Sequence, residues 1–135
     1  MADQQLIREF LAGAPHAVVG ASTDRSKYGN KVLRCYLQHA RPVLVVHPRE
    51  QLIEGQPCHR SLAELPEIPH GLSVITPPPV TERIVEQATA AGIRRLWLQP
   101  GAESPAALAR AAELGLQTIA GGPCLLVALG FHEDG

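Results

Sequence analysis

His16-Ala17-Val18-Val19-Gly20-Ala21-Ser22 is the stretch that decides the fold, an apolar, β-branched run that ends on a glycine and small residues. Nothing polar alternates between Ala17 and Val19, which suits a strand buried on both faces of a parallel sheet. Turn residues follow through Lys27, Tyr28 and Gly29. From residue 30 to 38 the apolar positions Val32, Leu33, Tyr36 and Leu37 then recur at helical spacing.

The same alternation repeats along the chain. Further strand-like runs occupy residues 43–47, 72–76, 95–99 and 116–120. Helical patterns occupy residues 4–11 behind Asp3, 81–91 before Gly92, and 105–114 between Ser104 and Gly115, with Pro105 at the tolerated first position. Residues 51–71 are irregular, with only 61–65 reading as a short helix. The spacing predicts one α/β domain over residues 1–135: a doubly wound, five-stranded parallel sheet with helices on both faces.

Composition narrows the function classes. Of 135 residues, 45% are hydrophobic and 19% charged, a globular balance. Twelve basic and thirteen acidic residues leave a net charge of −1, without the basic excess of a nucleic-acid binder. No apolar run approaches the ~20 residues of a membrane span. The N-terminus lacks the basic and apolar order of a secretory signal, so a soluble, cytoplasmic chain is expected. Cys35, Cys58 and Cys124 are odd in number and widely spaced, as are the six histidines, so reduced thiols and no metal site are expected.

In an open parallel sheet, ligands sit at the C-terminal ends of the strands, so the loops there are the ones to read. Loop one, Gly20 to Asn30, offers backbone N–H groups, a following helix N-terminus, and the cations Arg25 and Lys27 for a phosphate. Its spacing is not Gly-x-Gly-x-x-Gly, and a solvated strand-to-helix loop would read the same way. In loop two, His47-Pro48-Arg49 stands where a dinucleotide site for NAD places a carboxylate. His47 and Arg49 suit a ribose carrying an extra phosphate, as in coenzyme A or NADP. A surface arginine after a turn proline is the plainer alternative.

Loop three, Thr76-Pro77-Pro78-Pro79, is a stiff apolar wall for an adenine or a pantetheine arm, or simply the start of the next helix. Loop four offers Gln99, Gly101 and Glu103, the last well placed to favour the following helix electrostatically. Trp97 reads as core. Loop five brings Cys124 to a helix start, either as a reactive thiol or as a buried structural one. The sequence contains no Ser-His-Asp set, carboxylate pair or His-x-x-x-His motif that asks to be read as a catalytic centre.

Taken in order, several segments resemble the coenzyme A-binding domain family, stand-alone Rossmann-like relatives of the N-terminal domain of the succinyl-CoA synthetase α subunit. They are Val18-Val19-Gly20-Ala21-Ser22, Lys27-Tyr28-Gly29-Asn30, Val45-Val46-His47-Pro48, Ile53-Glu54-Gly55, Ser61 to Pro66, and Trp97 to Ser104. The resemblance implies that Gly20, Ala21, Ser22 and Lys27 hold CoA phosphates, with Tyr28 beside them. It implies that His47, Pro48 and Arg49 meet the adenosine, and that Thr76, Pro77 and Pro78 pack on the cofactor. Gln99 and Gly101 complete the edge. Gly122-Pro123-Cys124 is similar to a Gly-Pro-Asn-Cys segment of the synthetase, one residue shorter. The synthetase's phosphorylated histidine lies in a domain that has no counterpart here, so its catalysis does not carry over.

The resulting expectation is non-catalytic binding of CoA or an acyl-CoA. Alternatives are an NADP-binding or acyl-CoA-handling enzyme subunit using Cys124, and a protein-interaction module regulated by CoA. A homo-oligomer or an unidentified protein partner is compatible with each.

Overall fold

Four consecutive buried residues form β1 (His16–Val19). Ala17 and Val19 enter one apolar cluster, and Val18 enters another on the opposite side of the sheet. This is the two-residue period of a strand with both faces covered. The computed structural model describes residues 2–133, with side chains from residue 4 onward.

The remaining strands are β2 (Val43–Val46), β3 (Leu52–Ile53), β4 (Gln56–His59), β5 (Gly71–Val74), β6 (Arg95–Leu98) and β7 (Gln117–Ile119). Their order in the sheet is β3-β4-β2-β1-β5-β6-β7. Every pairing is parallel except β3 with β4. The five expected strands are all present, but among the described residues the sheet has seven. The two extra ones arise from the segment read as irregular. Glu54 and Gly55, at φ 50° and 76°, form a two-residue hairpin turn that folds β3 onto β4. β4 then joins β2 through Val45↔Cys58 and Val46↔His59.

Helices α1 (Ala2–Leu11), α2 (Tyr28–Gln38) and α5 (Leu125–Leu129) cover the face holding Val18, Val45 and Trp97. Helices α3 (Pro78–Ala90) and α4 (Pro105–Glu113) cover the other, with Ile84, Val85, Ala88, Ala107 and Ala111 packed on Leu72, Val74, Leu96 and Leu98. The fold is therefore Rossmann-like, as the alternation implied. Ser104 caps α4 as expected, its Oγ accepting the Ala107 N–H at 3.0 Å. Asp3 does not precede α1, which is already helical at Ala2. Residues 61–65 hold only one 3₁₀ turn, Leu62–Glu64. Among the described residues no helix is long and apolar enough to cross a membrane.

Successive connections leave β1 toward β2 across one face and β5 toward β6 across the other. The switch point lies between the C-terminal ends of β1 and β5, where the candidate loops converge.

Candidate functional site

Two glycines set the geometry of loop one. Gly20 has φ +101°, and a Cβ there would stand 1.8 Å from the Ile75 carbonyl oxygen. A Cβ on Gly29 would stand 2.0 Å from the Gly20 carbonyl oxygen. Backbone therefore lies on backbone where β1, α2 and the loop after β5 meet. The residue before α2, Lys27, makes no side-chain cap. The first-turn N–H groups of Tyr28, Gly29 and Asn30 precede Lys31, whose N–H donates to the Lys27 carbonyl at 3.2 Å, so they and the helix dipole favour an anion.

Loop one is also braced from within. Ser22 Oγ accepts the Asp24 N–H at 3.0 Å. Asp24 Oδ1 accepts the Ser26 N–H at 2.9 Å and its hydroxyl at 2.7 Å. Those bonds to Ser26 hold the Asp24 carboxyl below its usual range.

The main brace was not singled out in the sequence. Asn30 is fully buried, and its Nδ2 donates to the Ser22 carbonyl at 2.8 Å and to Glu54 Oε2 at 3.0 Å. Its Oδ1 accepts from Arg34 Nε at 2.7 Å. Arg34 also donates to the Arg25 carbonyl at 2.9 Å, and Arg25 pairs with Glu54 at 3.3 Å. A polar Asn30 and Arg34, four apart on an otherwise apolar helix face, were the available signal. Glu54 reaches this network because the β3–β4 turn carries it there.

In loop two, His47 shapes the backbone. Its Nδ1 accepts the N–H groups of Arg49 at 3.0 Å and Glu50 at 2.9 Å, leaving the ring proton on Nε2. Pro48 and Arg49 are exposed. Arg60, also unmarked in the sequence reading, donates to the Glu50 carbonyl at 2.7 Å and to the His47 carbonyl at 3.2 Å. Two guanidinium groups, Arg49 and Arg60, thus stand at the β2–β4 end of the edge. Arg60 was hidden because the strand just before it was.

Loops three and four border a cleft of about 280 Å³ lined by Ile75, Thr76, Pro77, Pro100, Gly101 and Ala102. The proline run starts α3, with Pro77 preceding it and Pro78 its first residue. The Thr76 and Thr81 hydroxyls, 2.7 Å apart, fix that start. Glu103, directly before the α4 cap, makes its hydrogen bonds to the loops. Its carboxylate accepts the N–H groups of Gly101 at 2.8 Å and Gly121 at 3.4 Å, tying loop four to loop five.

At the meeting of loops one, four and five stand Tyr28, Gln99 and Cys124. Gln99 is fully buried, and its Oε1 accepts the Leu125 N–H at 3.0 Å and the Tyr28 hydroxyl at 3.1 Å. The Tyr28 hydroxyl also makes a short contact with Cys124 Sγ. Burial, then this thiol, pushes the Tyr28 phenol well above its usual range. Trp97 is core, as read, and its Nε1 donates to the Pro123 carbonyl at 3.0 Å.

The structure thus gathers Gly20, Ala21, Ser22, Lys27 and Tyr28 at the switch point and joins Tyr28 to Gln99 and Cys124. It puts Thr76, Pro77 and Gly101 around the cleft and His47, Pro48 and Arg49 at the far end. Pro78 is turned to starting α3. A larger apolar groove, about 600 Å³, lies elsewhere, between residues 61–69 and the C-terminal part of α3.

Residues 15–130 match the CoA binding domain family. A 71-residue stretch is 30% identical to acetate–CoA ligase [ADP-forming] I of Archaeoglobus fulgidus, covering 53% of this chain but only 10% of that enzyme. Among solved structures, a conserved hypothetical protein from Pyrococcus furiosus superposes with a TM-score of 0.82 at 36% identity, covering 86% of this chain and 99% of that one. A hypothetical protein from Pyrococcus horikoshii gives a TM-score of 0.85 at 26% identity, covering 96% and 92%.

Proposed function

The chain belongs to the CoA-binding domain family, and on that premise we propose that it binds coenzyme A or an acyl-CoA along the C-terminal edge of its sheet without turning it over. The observation that carries this reading is the double close approach of Gly20 and Gly29. It presents the uncapped start of α2 to an anion at the switch point.

In this reading the diphosphate sits on the loop-one and α2 amides, with Lys27 adding charge from the loop. The adenosine and its 3′-phosphate lie toward His47, Pro48 and Arg49, where Arg60 holds the turn. A cation there favours a phosphorylated ribose over the plain diol of NAD. The pantetheine arm follows the cleft between Thr76-Pro77 and Pro100-Gly101, whose apolar wall suits it. Its thiol end then lies toward Gln99 and Cys124.

Calorimetric titration with CoA, dephospho-CoA, NADP and NAD tests the proposal. Clear preference for CoA over all three is expected. Preference for NADP would keep the fold and replace the ligand. Binding of none of them would overturn the reading and bring an interaction module forward.

A further inference from the structure

The amide of Gln99 has one arm without a partner. The Leu125 backbone N–H can only donate, so the atom that accepts it at 3.0 Å is Oε1, and the other arm is the NH2 group. That Nε2 is buried with no acceptor among the described residues, on a side chain that is 0% exposed. A sealed, unpaired donor is costly, and it calls for an oxygen. At the other arm of the same amide, the Tyr28 hydroxyl that donates to Gln99 Oε1 also touches Cys124 Sγ. A thiol and an unpaired N–H donor are two parts that acyl transfer uses, the nucleophile and the partner for an oxygen gaining charge.

We infer that Cys124 accepts the acyl group of an acyl-CoA thioester, with the thioester carbonyl oxygen received by Gln99 Nε2. The inference rests on the CoA reading above and extends it from binding to a single covalent transfer. In that step the Cys124 thiol gives up its proton and Sγ bonds the carbonyl carbon. The bond from that carbon to the CoA sulfur breaks, and the departing sulfur takes up one proton. Thiol and thioester become thioester and thiol, with no oxidant or reductant. Tyr28 and Cys124 are half-buried whereas Gln99 is sealed, so the transfer requires the Tyr28–Cys124 contact to part and open Nε2 to the carbonyl. A disulfide would offer Nε2 no comparable acceptor, which is why a carbonyl compound is favoured.

The other two thiols serve as internal controls. Cys35 is buried in α2, and burial pushes its thiol up to about 11. Cys58 is half-buried on β4, with its thiol also raised by burial.

The test incubates the full chain with acetyl-CoA and follows intact mass, peptide mapping and release by hydroxylamine. One acetyl group per chain is expected, on Cys124, at least about tenfold faster than on Cys58, and absent from Cys124→Ser. Gln99→Met is expected to slow it by about a hundredfold, the usual effect of losing an oxyanion donor. Should that variant fail to fold, Gln99→Glu keeps an oxygen for Leu125 and Tyr28 while replacing the N–H donor. If CoA binds the wild-type chain in the calorimeter yet Cys124 acetylates no faster than Cys58, the transfer is overturned and the binding reading stands. Equal acetylation by S-acetyl-N-acetylcysteamine, which has no nucleotide, overturns it likewise as generic thiol reactivity. Absence of CoA binding overturns both.

Discussion

His16 makes the stability of this protein depend on pH in a way that can be worked out. The ring is fully buried, stacked with Phe10 and Tyr36 at centroid distances of 4.8 and 5.3 Å, and bonded through Nε2 to the Phe10 carbonyl at 2.6 Å. Its Nδ1 is buried with no partner among the described residues. Burial is the main reason its pKa falls from 6.5 to about 4, which the bond to Phe10 only partly opposes. Between those values the unfolded chain binds more protons than the folded one, so acid favours unfolding. The contribution is intact above 6.5 and is lost as pH falls toward 4. Going from about pH 7.5 to about pH 5 removes about 2 kcal/mol through this one group. Asp24, Glu86 and Glu133, held below the usual carboxylate range by their hydrogen bonds, add their share mainly at lower pH. Urea unfolding followed by the fluorescence of the single, buried Trp97 measures the loss. His16→Gln keeps a donor for the Phe10 carbonyl and has no group to titrate, so its stability is expected to change about 2 kcal/mol less over the same interval. Equal losses in the two proteins would refute the assignment to His16.

Three further perturbations bear on the site. Gly29→Ala drives a Cβ to 2.0 Å from the Gly20 carbonyl; a drop of about 1–3 kcal/mol in stability and weaker CoA binding are expected, and an unchanged melting temperature would disprove the close approach. Asn30→Ala strands Arg34 Nε and the Ser22 carbonyl without their partner. It should cost about 2–4 kcal/mol by urea titration, and Asn30→Asp should restore little of it, because the new oxygen would face the Ser22 carbonyl and the Glu54 carboxylate. Arg49→Ala is expected to weaken CoA binding by about tenfold while leaving dephospho-CoA nearly unchanged in parallel titrations, and equal losses for both would remove the 3′-phosphate role.

The parallel strands were legible because burial on both faces writes them as unbroken apolar runs, as at Ala17-Val18-Val19 and Val43-Leu44-Val45-Val46. The β3–β4 hairpin was not. Its strands span two and four residues, include Gln56 and Pro57, and turn on Glu54-Gly55 rather than the Asn-Gly or Asp-Gly that announces such turns. Its pairing depends on the β2 edge being there to accept it, which no local pattern records. The loop residues were legible by position alone, since any strand end in this architecture points at the crevice. What position could not supply was partnership. His47 spends Nδ1 on its own turn, Glu103 bridges two loops, and Gln99 holds Tyr28 and Leu125 across 71 and 26 residues of sequence.

The hidden hairpin and the unusual form of loop one explain one another. A Gly-x-Gly-x-x-Gly turn is short and holds its shape by backbone geometry. Here the two close-contact glycines, Gly20 and Gly29, are nine positions apart, and the intervening loop is too long to be fixed by turn geometry alone. The order it needs comes from side chains instead. Asn30 ties the loop at Ser22, Arg34 ties it at Arg25, and Glu54 joins Asn30 to Arg25 from outside. Glu54 can do so only from a turn at positive φ on a hairpin that continues the sheet past β2. Preorganisation of the proposed anion site is therefore distributed over β1, α2 and the added edge of the sheet. On this argument, shortening the hairpin would loosen loop one although no residue of the loop had changed.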